Sequence, residues 1–232
     1  MPRTHRRPAA RVFRSALILA LASATAAVGA PSVALAKSTK GKKADLAIQK
    51  QGVLTAADFP PGWTSQPAVP STEPPASNAC ADLRAVDEAL KSSATKSLTF
   101  LSPGGEQAGN LVAVVKSATK ASSYFEPYGE PSAIDCVQAQ LQATFKQPQI
   151  LATRISVSQT TGAPPPGADE GVAFHAQVNA TLVTQQTGVV FVDLLSARVG
   201  RSVVQFVFLS PTAASHDQQI NAVISRLKAA GA

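Results

Sequence analysis

The spacing of apolar residues changes along this chain from a helical repeat to a strict alternation. Apolar positions recur at intervals of three and four residues in two stretches, which predicts one helix over 78–91 and a second that is capped by Ser132. The repeating residues are Cys80, Leu83, Val86 and Leu90 in the first helix, and Ile134, Val137, Leu141 and Phe145 in the second.

From Leu151 onward, apolar and polar residues alternate, as they do in a strand with one buried face. The predicted strands are 98–101, 110–116, 151–157, 172–182, 189–199 and 202–209. Gly200 and Arg201 suit a two-residue type II′ turn, and connections this short make neighbouring strands antiparallel. The last three strands therefore form a meander.

A helix is predicted at the C-terminal end of the chain. Ser215 and Gln218 have the spacing of a capping box, and they precede a single narrow apolar stripe: Ile220, Val223, Ile224 and Leu227. A stripe of that width covers one face of a sheet. The predicted fold is therefore α+β, an antiparallel sheet with helices packed on one face and a final helix after the meander.

The N-terminal segment has the order of a secretory signal peptide. Five arginines and no acidic residue precede an apolar run over 16–30, and Ala34-Leu35-Ala36 supplies small residues at the cleavage positions. We expect three parts: a signal peptide over 1–36, a Lys/Ser/Gly-rich linker over 37–53 and one domain over 54–232. The alternative is an uncleaved segment that stays in the membrane as an anchor. With cleavage, no transmembrane segment is expected in the mature chain.

The formal charge of +7 shrinks once the signal peptide is removed. The mature chain has 16 basic and 14 acidic residues, and the part from Leu54 onward has 11 and 13. A nearly neutral domain lacks the basic face of nucleic-acid-binding proteins, so we expect no nucleic acid partner. The lysines before Leu54 form either a solvated linker or a contact with anionic wall polymer or lipid headgroups.

Only two cysteines are present, Cys80 and Cys136, and both lie in the exported part. In an oxidising compartment an isolated pair most simply forms one disulfide, here between the beginnings of two helices. Two free thiols or a redox pair are the alternative, although the C-x-x-C spacing favoured by redox chemistry is absent.

Few residues of the mature chain suggest chemistry. His175, Gln177 and Asn179 form a polar row on one face of a predicted strand, and they either face solvent or line a polar pocket as ligand contacts. Ser215-His216-Asp217 has the residues of a catalytic triad, but adjacent positions point in different directions and Ser215 is explained by capping. Asp169 and Glu170 suit a turn. We therefore expect no catalytic residue, no metal site and no cofactor.

The segment Leu54–Trp63, together with two cysteine-containing helices and a late strand around Ala197–Arg201, resembles small secreted proteins and lipoproteins of high-GC Gram-positive bacteria. The chain is loosely similar to the extracellular sensor-type domains of receptor serine/threonine kinases and to PsbP-like secreted proteins. It departs from those kinase domains in having one cysteine pair and no kinase.

These observations favour a secreted, monomeric, non-enzymatic binding or sensor-like module. Its expected partner is a small apolar or amphipathic ligand, or a component of the cell wall. Two alternatives stay open: a structural or interaction protein of the cell envelope, and a hydrolase with an unrecognised site.

Overall fold

The computed structural model describes residues 39–67, 80–91, 93–160 and 163–232. The expected signal peptide, 1–36, lies outside these residues. The described α-helices are α1 (Thr39–Gly52), α2 (Ala81–Lys91), α3 (Ala118–Ser122), α4 (Ser132–Thr144) and α5 (Asp217–Ala229). The described strands are β1 (Thr64–Gln66), β2 (Ala94–Lys96), β3 (Thr99–Leu101), β4 (Gln107–Val114), β5 (Ile150–Thr160), β6 (Glu170–Leu182), β7 (Thr187–Val199) and β8 (Ser202–Ser210).

All eight strands join one antiparallel sheet, in the order β1-β3-β4-β8-β7-β6-β5, and β2 pairs with β4 beside β3. The predicted meander of β6, β7 and β8 is confirmed. Its second turn consists of Gly200 and Arg201, and the φ of Gly200 is +57°, a value that glycine adopts without steric cost.

One face of the sheet, here called the disulfide face, packs against α2, α3 and α4. The predicted disulfide between Cys80 and Cys136 is present, and it joins the residue before α2 to the first turns of α4. Both cysteines are buried among the alternate apolar residues of β6, including Phe174 and Val178. The long alternation in the sequence is therefore the signature of this half of the core.

The opposite face, here called the terminal-helix face, packs against α1 and α5. The expectation that helices lie on one face only is therefore wrong. Val203 and Val204 are adjacent in β8 and point to opposite faces, yet both are buried, under α2 and α5 respectively. A central strand that is apolar on both sides needs cover on both sides.

Most of the segment 37–53, which the sequence predicted as a linker, is helix α1. Ile48 is buried against the terminal-helix face. The end of the helix is held by polar groups instead of a broad apolar stripe: Asn110 Nδ2 donates to the carbonyl of Gly52 over 2.8 Å, and Asn110 Oδ1 accepts from the N–H of Leu54 over 2.9 Å. Such contacts leave no periodic pattern in the sequence.

Neither predicted serine is the N-cap residue of its helix, although Ser215 Oγ accepts from the N–H of Asp217 over 3.3 Å. Pro131 holds the N-cap position of α4, and His216 holds that of α5, which begins at Asp217. The helices themselves agree with the prediction. The N-cap residue is thus His216 and not Ser215, which places an imidazole at the start of α5 on the terminal-helix face.

Candidate functional site

A cleft of about 490 Å³ lies on the terminal-helix face, where the start of α5 stands beside β6 and β7. The proline-rich loop at 163–166 forms its other wall. The side chains that build the cleft are mostly apolar, among them Pro164, Pro165, Leu195, Phe208 and Ile220. The polar side chains used below are His175, Asp193, Ser215, His216, Asp217 and Asn221.

His175 and Asp193 face each other across β6 and β7. The register of the two strands makes them direct neighbours, and His175 Nδ1 lies 2.7 Å from Asp193 Oδ1. The His175 side chain is 51% exposed and the Asp193 side chain 24%. The pair therefore lies at the open side of the cleft, within reach of a bound molecule.

His216 approaches the same carboxylate from the start of α5. Its ring stacks on Phe208 with the centroids 4.0 Å apart, and its Nε2 lies 3.6 Å from Asp193 Oδ2. Nε2 is buried and has no hydrogen-bond partner among the described residues. Burial lowers the pKa of His216, although the charges of Asp193, Glu106 and Asp217 oppose this shift. The ring is therefore held in its neutral form near neutral pH.

Asn221, one turn further along α5, presents a second unsatisfied atom. Its Oδ1 is buried and finds no hydrogen-bond partner within the part of the chain that the structure describes, and the residue lines the cleft. Buried polar atoms in native proteins are nearly always bonded to protein, water or a ligand. In the described part of the chain, His216 and Asn221 thus each have one buried polar atom that no protein group bonds, and both residues line the cleft.

The residues Ser215, His216 and Asp217 do not act as a triad. Ser215 Oγ donates to Asp217 Oδ2 over 2.7 Å, whereas the ring of His216 turns away toward Phe208 and Asp193. A serine nucleophile needs its hydroxyl bonded to the imidazole. Asp169 and Glu170 are bound to Arg198 at 3.0 Å and 2.9 Å and do not line the cleft.

The polar row predicted on β6 is divided by the structure. His175 lines the cleft, but Gln177 and Asn179 continue along the same face beyond it, where Gln177 Nε2 donates to Asn179 Oδ1 over 3.3 Å. Asp193, His216 and Asn221 were missed as site residues. The partnership of His175 with Asp193 depends on strand register, and that of His216 depends on where α5 packs, so neither left a local signal in the sequence.

Trp63 belongs to the core and not to the cleft. Its ring stacks on Phe59 at 4.4 Å, and Phe59 stacks in turn on Phe100 at 4.6 Å. The tryptophan therefore has a packing role.

In the described part of the chain, no three His, Cys, Asp or Glu side chains are grouped so that they would bind a metal ion. Over the same residues, no helix has the length and apolar character needed to cross a bilayer.

No protein-family model matches the chain, and no curated protein matches it. Among solved structures, it is similar to the extracellular domain of PknH from Mycobacterium tuberculosis, with 13% sequence identity and a TM-score of 0.49 over 87% of this chain and 100% of that chain. The likeness concerns the backbone architecture and says nothing about a ligand.

Proposed function

We propose that the chain is a secreted, non-catalytic binding module that holds a small amphipathic molecule in the cleft beside α5. The observation that carries the proposal is a cleft with apolar walls in which the partly exposed pair of His175 and Asp193 supplies polar groups. An apolar site with a few convergent polar groups is the usual form of a small-molecule site.

The size of the cleft supports this function. A volume of about 490 Å³ lies within the range of roughly 300–1,000 Å³ that is typical of ligand pockets. The molecule that fits is a small one, with an apolar body against Leu195, Phe208 and Ile220 and a polar group near Asp193. A long polymer would contact the surface beyond the cleft instead.

The walls of the cleft are rigid enough to preform it. Helix α5 is anchored by Val223, Ile224 and Leu227, none of which has any exposed surface. The floor belongs to β6 and β7, which are paired along twelve positions. A ligand therefore meets a site that needs little reorganisation, which favours affinity because ordering costs are already met by the fold.

Export is supported by the disulfide between Cys80 and Cys136, since such bonds persist mainly in oxidising compartments. The segment 1–36, with its basic, apolar and small-residue order, supports the same location.

The test is a titration of the purified, disulfide-bonded protein with Nile red, a neutral dye whose fluorescence rises in apolar surroundings. We expect one saturable site. Ala214→Trp fills the cleft that Ala214 lines and should abolish binding. Ala213→Trp is the matched control, because Ala213 is an exposed neighbour outside the lining.

Saturable binding that both tryptophan variants retain would show that the dye binds elsewhere and would overturn the proposed site. Absence of saturable binding to the parent protein would do the same. Native mass spectrometry of the exported protein, in search of a co-purifying molecule, provides an independent measurement.

A further inference from the structure

We propose that the molecule bound in the cleft is a cationic amphiphile, with a protonated amine on a small apolar body. This inference rests on the proposed function and adds the chemical class of the ligand. It is carried by the acceptor atoms of the cleft, by the sign of its charged side chains and by its apolar walls.

The unsatisfied groups of the cleft are suited to accept hydrogen bonds. Asn221 Oδ1 is an acceptor with no hydrogen-bond partner among the described residues, and it becomes accessible when the side chain turns toward the cleft. Asp193 uses Oδ1 for His175 at 2.7 Å, while its Oδ2 lies 3.6 Å from His216 Nε2, beyond hydrogen-bond distance. An ammonium group has three N–H donors and no acceptor, which complements this set.

The imidazole of His216 can join the same set. In its neutral form, one ring nitrogen accepts while the other carries the proton. Because burial keeps this ring neutral near pH 7, it adds no positive charge that would compete with a cationic ligand. Nε2 is then available either to accept from the ligand or to donate toward Asp193.

The charged side chains of the cleft are acidic. Asp193 and Asp217 both line it, and no lysine or arginine is among its lining residues in the described chain. A carboxylate or phosphate ligand would meet like charge, with no lysine or arginine partner among the described lining residues. A cation instead gains the attraction of Asp193, whose side chain is 24% exposed and therefore only partly screened by solvent.

The apolar part of the ligand follows from the walls. Leu195, Phe208 and Ile220 on one side and prolines 164–166 on the other offer no charge and little hydrogen bonding to the body of the molecule. A small hydrophilic cation would leave these surfaces without a partner. An alkyl or aromatic amine fills them, and burial of its apolar surface adds to the affinity.

The experiment compares three probes of equal chain length at pH 8: n-hexylamine, 1-hexanol and hexanoate. Binding is followed by the backbone amide NMR shifts of the disulfide-bonded protein, with Ala173, Asp193 and Asn221 as reporters of the cleft. We expect hexylamine to bind at least tenfold more tightly than hexanol, and hexanoate more weakly than either.

Two variants test whether the preference for hexylamine over hexanol arises in the cleft. Asp193→Asn should reduce the ratio of hexylamine to hexanol affinity roughly tenfold, and Asn221→Leu should weaken hexylamine while it retains hexanol. Asp135→Asn, an exposed acid on α4 at the disulfide face, is the matched control and should leave the ratio unchanged.

Equal or tighter binding of hexanol or hexanoate at the same three reporters would overturn the cationic class and leave the proposed binding function intact. If none of the probes shifts these reporters, the binding function itself fails. A preference for the amine that survives in both cleft variants would also contradict the inference, because the selectivity would then arise at another surface.

Discussion

Two Asp–Arg pairs of equal length but different burial allow one prediction to be worked out in full. Asp58 Oδ1 accepts from Arg226 Nη1 over 2.6 Å, and Asp45 Oδ1 accepts from Arg201 Nη2 over 2.6 Å. We expect Asp58→Asn to lower the free energy of unfolding by about 2 kcal/mol, and Asp45→Asn to lower it by less than about 1 kcal/mol.

The larger value follows from the surroundings of Asp58. Its side chain is 5% exposed, its Oδ2 also accepts from Arg226 Nη2 over 3.0 Å, and the same oxygen accepts from the N–H of Thr55 over 2.8 Å. Removal of one partner from a buried ion pair costs about 3–5 kcal/mol. We reduce this to about 2 kcal/mol because Arg226 is 29% exposed and also donates to the carbonyls of Gln51 and Val53.

The smaller value follows from solvent. The side chains of Asp45 and Arg201 are 35% and 32% exposed. Exposed pairs contribute about 0–1 kcal/mol to the free energy of unfolding, whatever the distance between their charged atoms. Distance and residue types are thus matched, while burial and the number of hydrogen bonds differ.

The pH dependence gives a second readout for Asp58. Burial by itself would raise the pKa of this carboxyl, but the hydrogen bonds from Arg226 and Thr55 and the charge of Arg226 outweigh burial, so the pKa is lowered. A lowered folded pKa means that the stabilisation is fully present above the unfolded pKa of about 3.9 and is lost as pH falls through the folded value.

The assay is urea unfolding of the parent and both variants at pH 7 and at pH 2.5, analysed by linear extrapolation. The difference between the parent and Asp58→Asn should shrink at pH 2.5. The reasoning is refuted if the two variants are equally destabilised at pH 7, or if the cost of Asp58→Asn is the same at both pH values.

Three further predictions concern other parts of the fold. Alkylation without reductant should modify neither Cys80 nor Cys136, and modified thiols in the parent protein would contradict the disulfide. Replacement of both cysteines by serine should lower the free energy of unfolding by up to about 4 kcal/mol, because the bond closes a loop with a sequence separation of 56. Gly200→Ala should lower the free energy of unfolding by at least about 1–2 kcal/mol, since its φ is +57° and a Cβ would lie 2.0 Å from the carbonyl oxygen of Ala232. Gly129→Ala, where the Cβ position is open, is the control and should be nearly neutral. Thermal melts of the two variants measure this difference. The ring resonances of His216 should titrate below about pH 6.5 in an NMR titration. The stability that depends on the neutral ring should be lost as pH falls below that value. A midpoint above 6.5 would show that the charge of Asp193 affects the pKa of His216 more than burial does.

The elements of the fold were predictable where one residue pattern decided them. The alternation in β6 and the glycine turn after β7 are local features, and the structure has both. The prediction was wrong at α1, because that helix is held by Asn110 and Arg226, which are distant in sequence. It was also wrong in expecting helices on one face of the sheet only. The apolar residues of β8 by themselves do not indicate whether helices cover one face of the strand or both.

The candidate site was predictable only through His175. The polar row on β6 identified this residue, but it also included Gln177 and Asn179, which lie beyond the cleft. Asp193 lies in a strand where the sequence shows only the usual alternation, and the sequence presents His216 only as the neighbour of a predicted capping serine. No spacing rule connects these two residues with each other or with Asn221.

By itself, the sequence determined the α+β class, the C-terminal meander and the pairing of the two cysteines. Each of these depends on a property that is readable within a short stretch or from a simple count: hydrophobic period, turn chemistry and cysteine number. Only the tertiary structure decided that helices cover both faces and that His175, Asp193, His216 and Asn221 meet in one cleft. Strand register and the seating of α5 bring these side chains together, and both arise from packing between segments that are far apart along the chain.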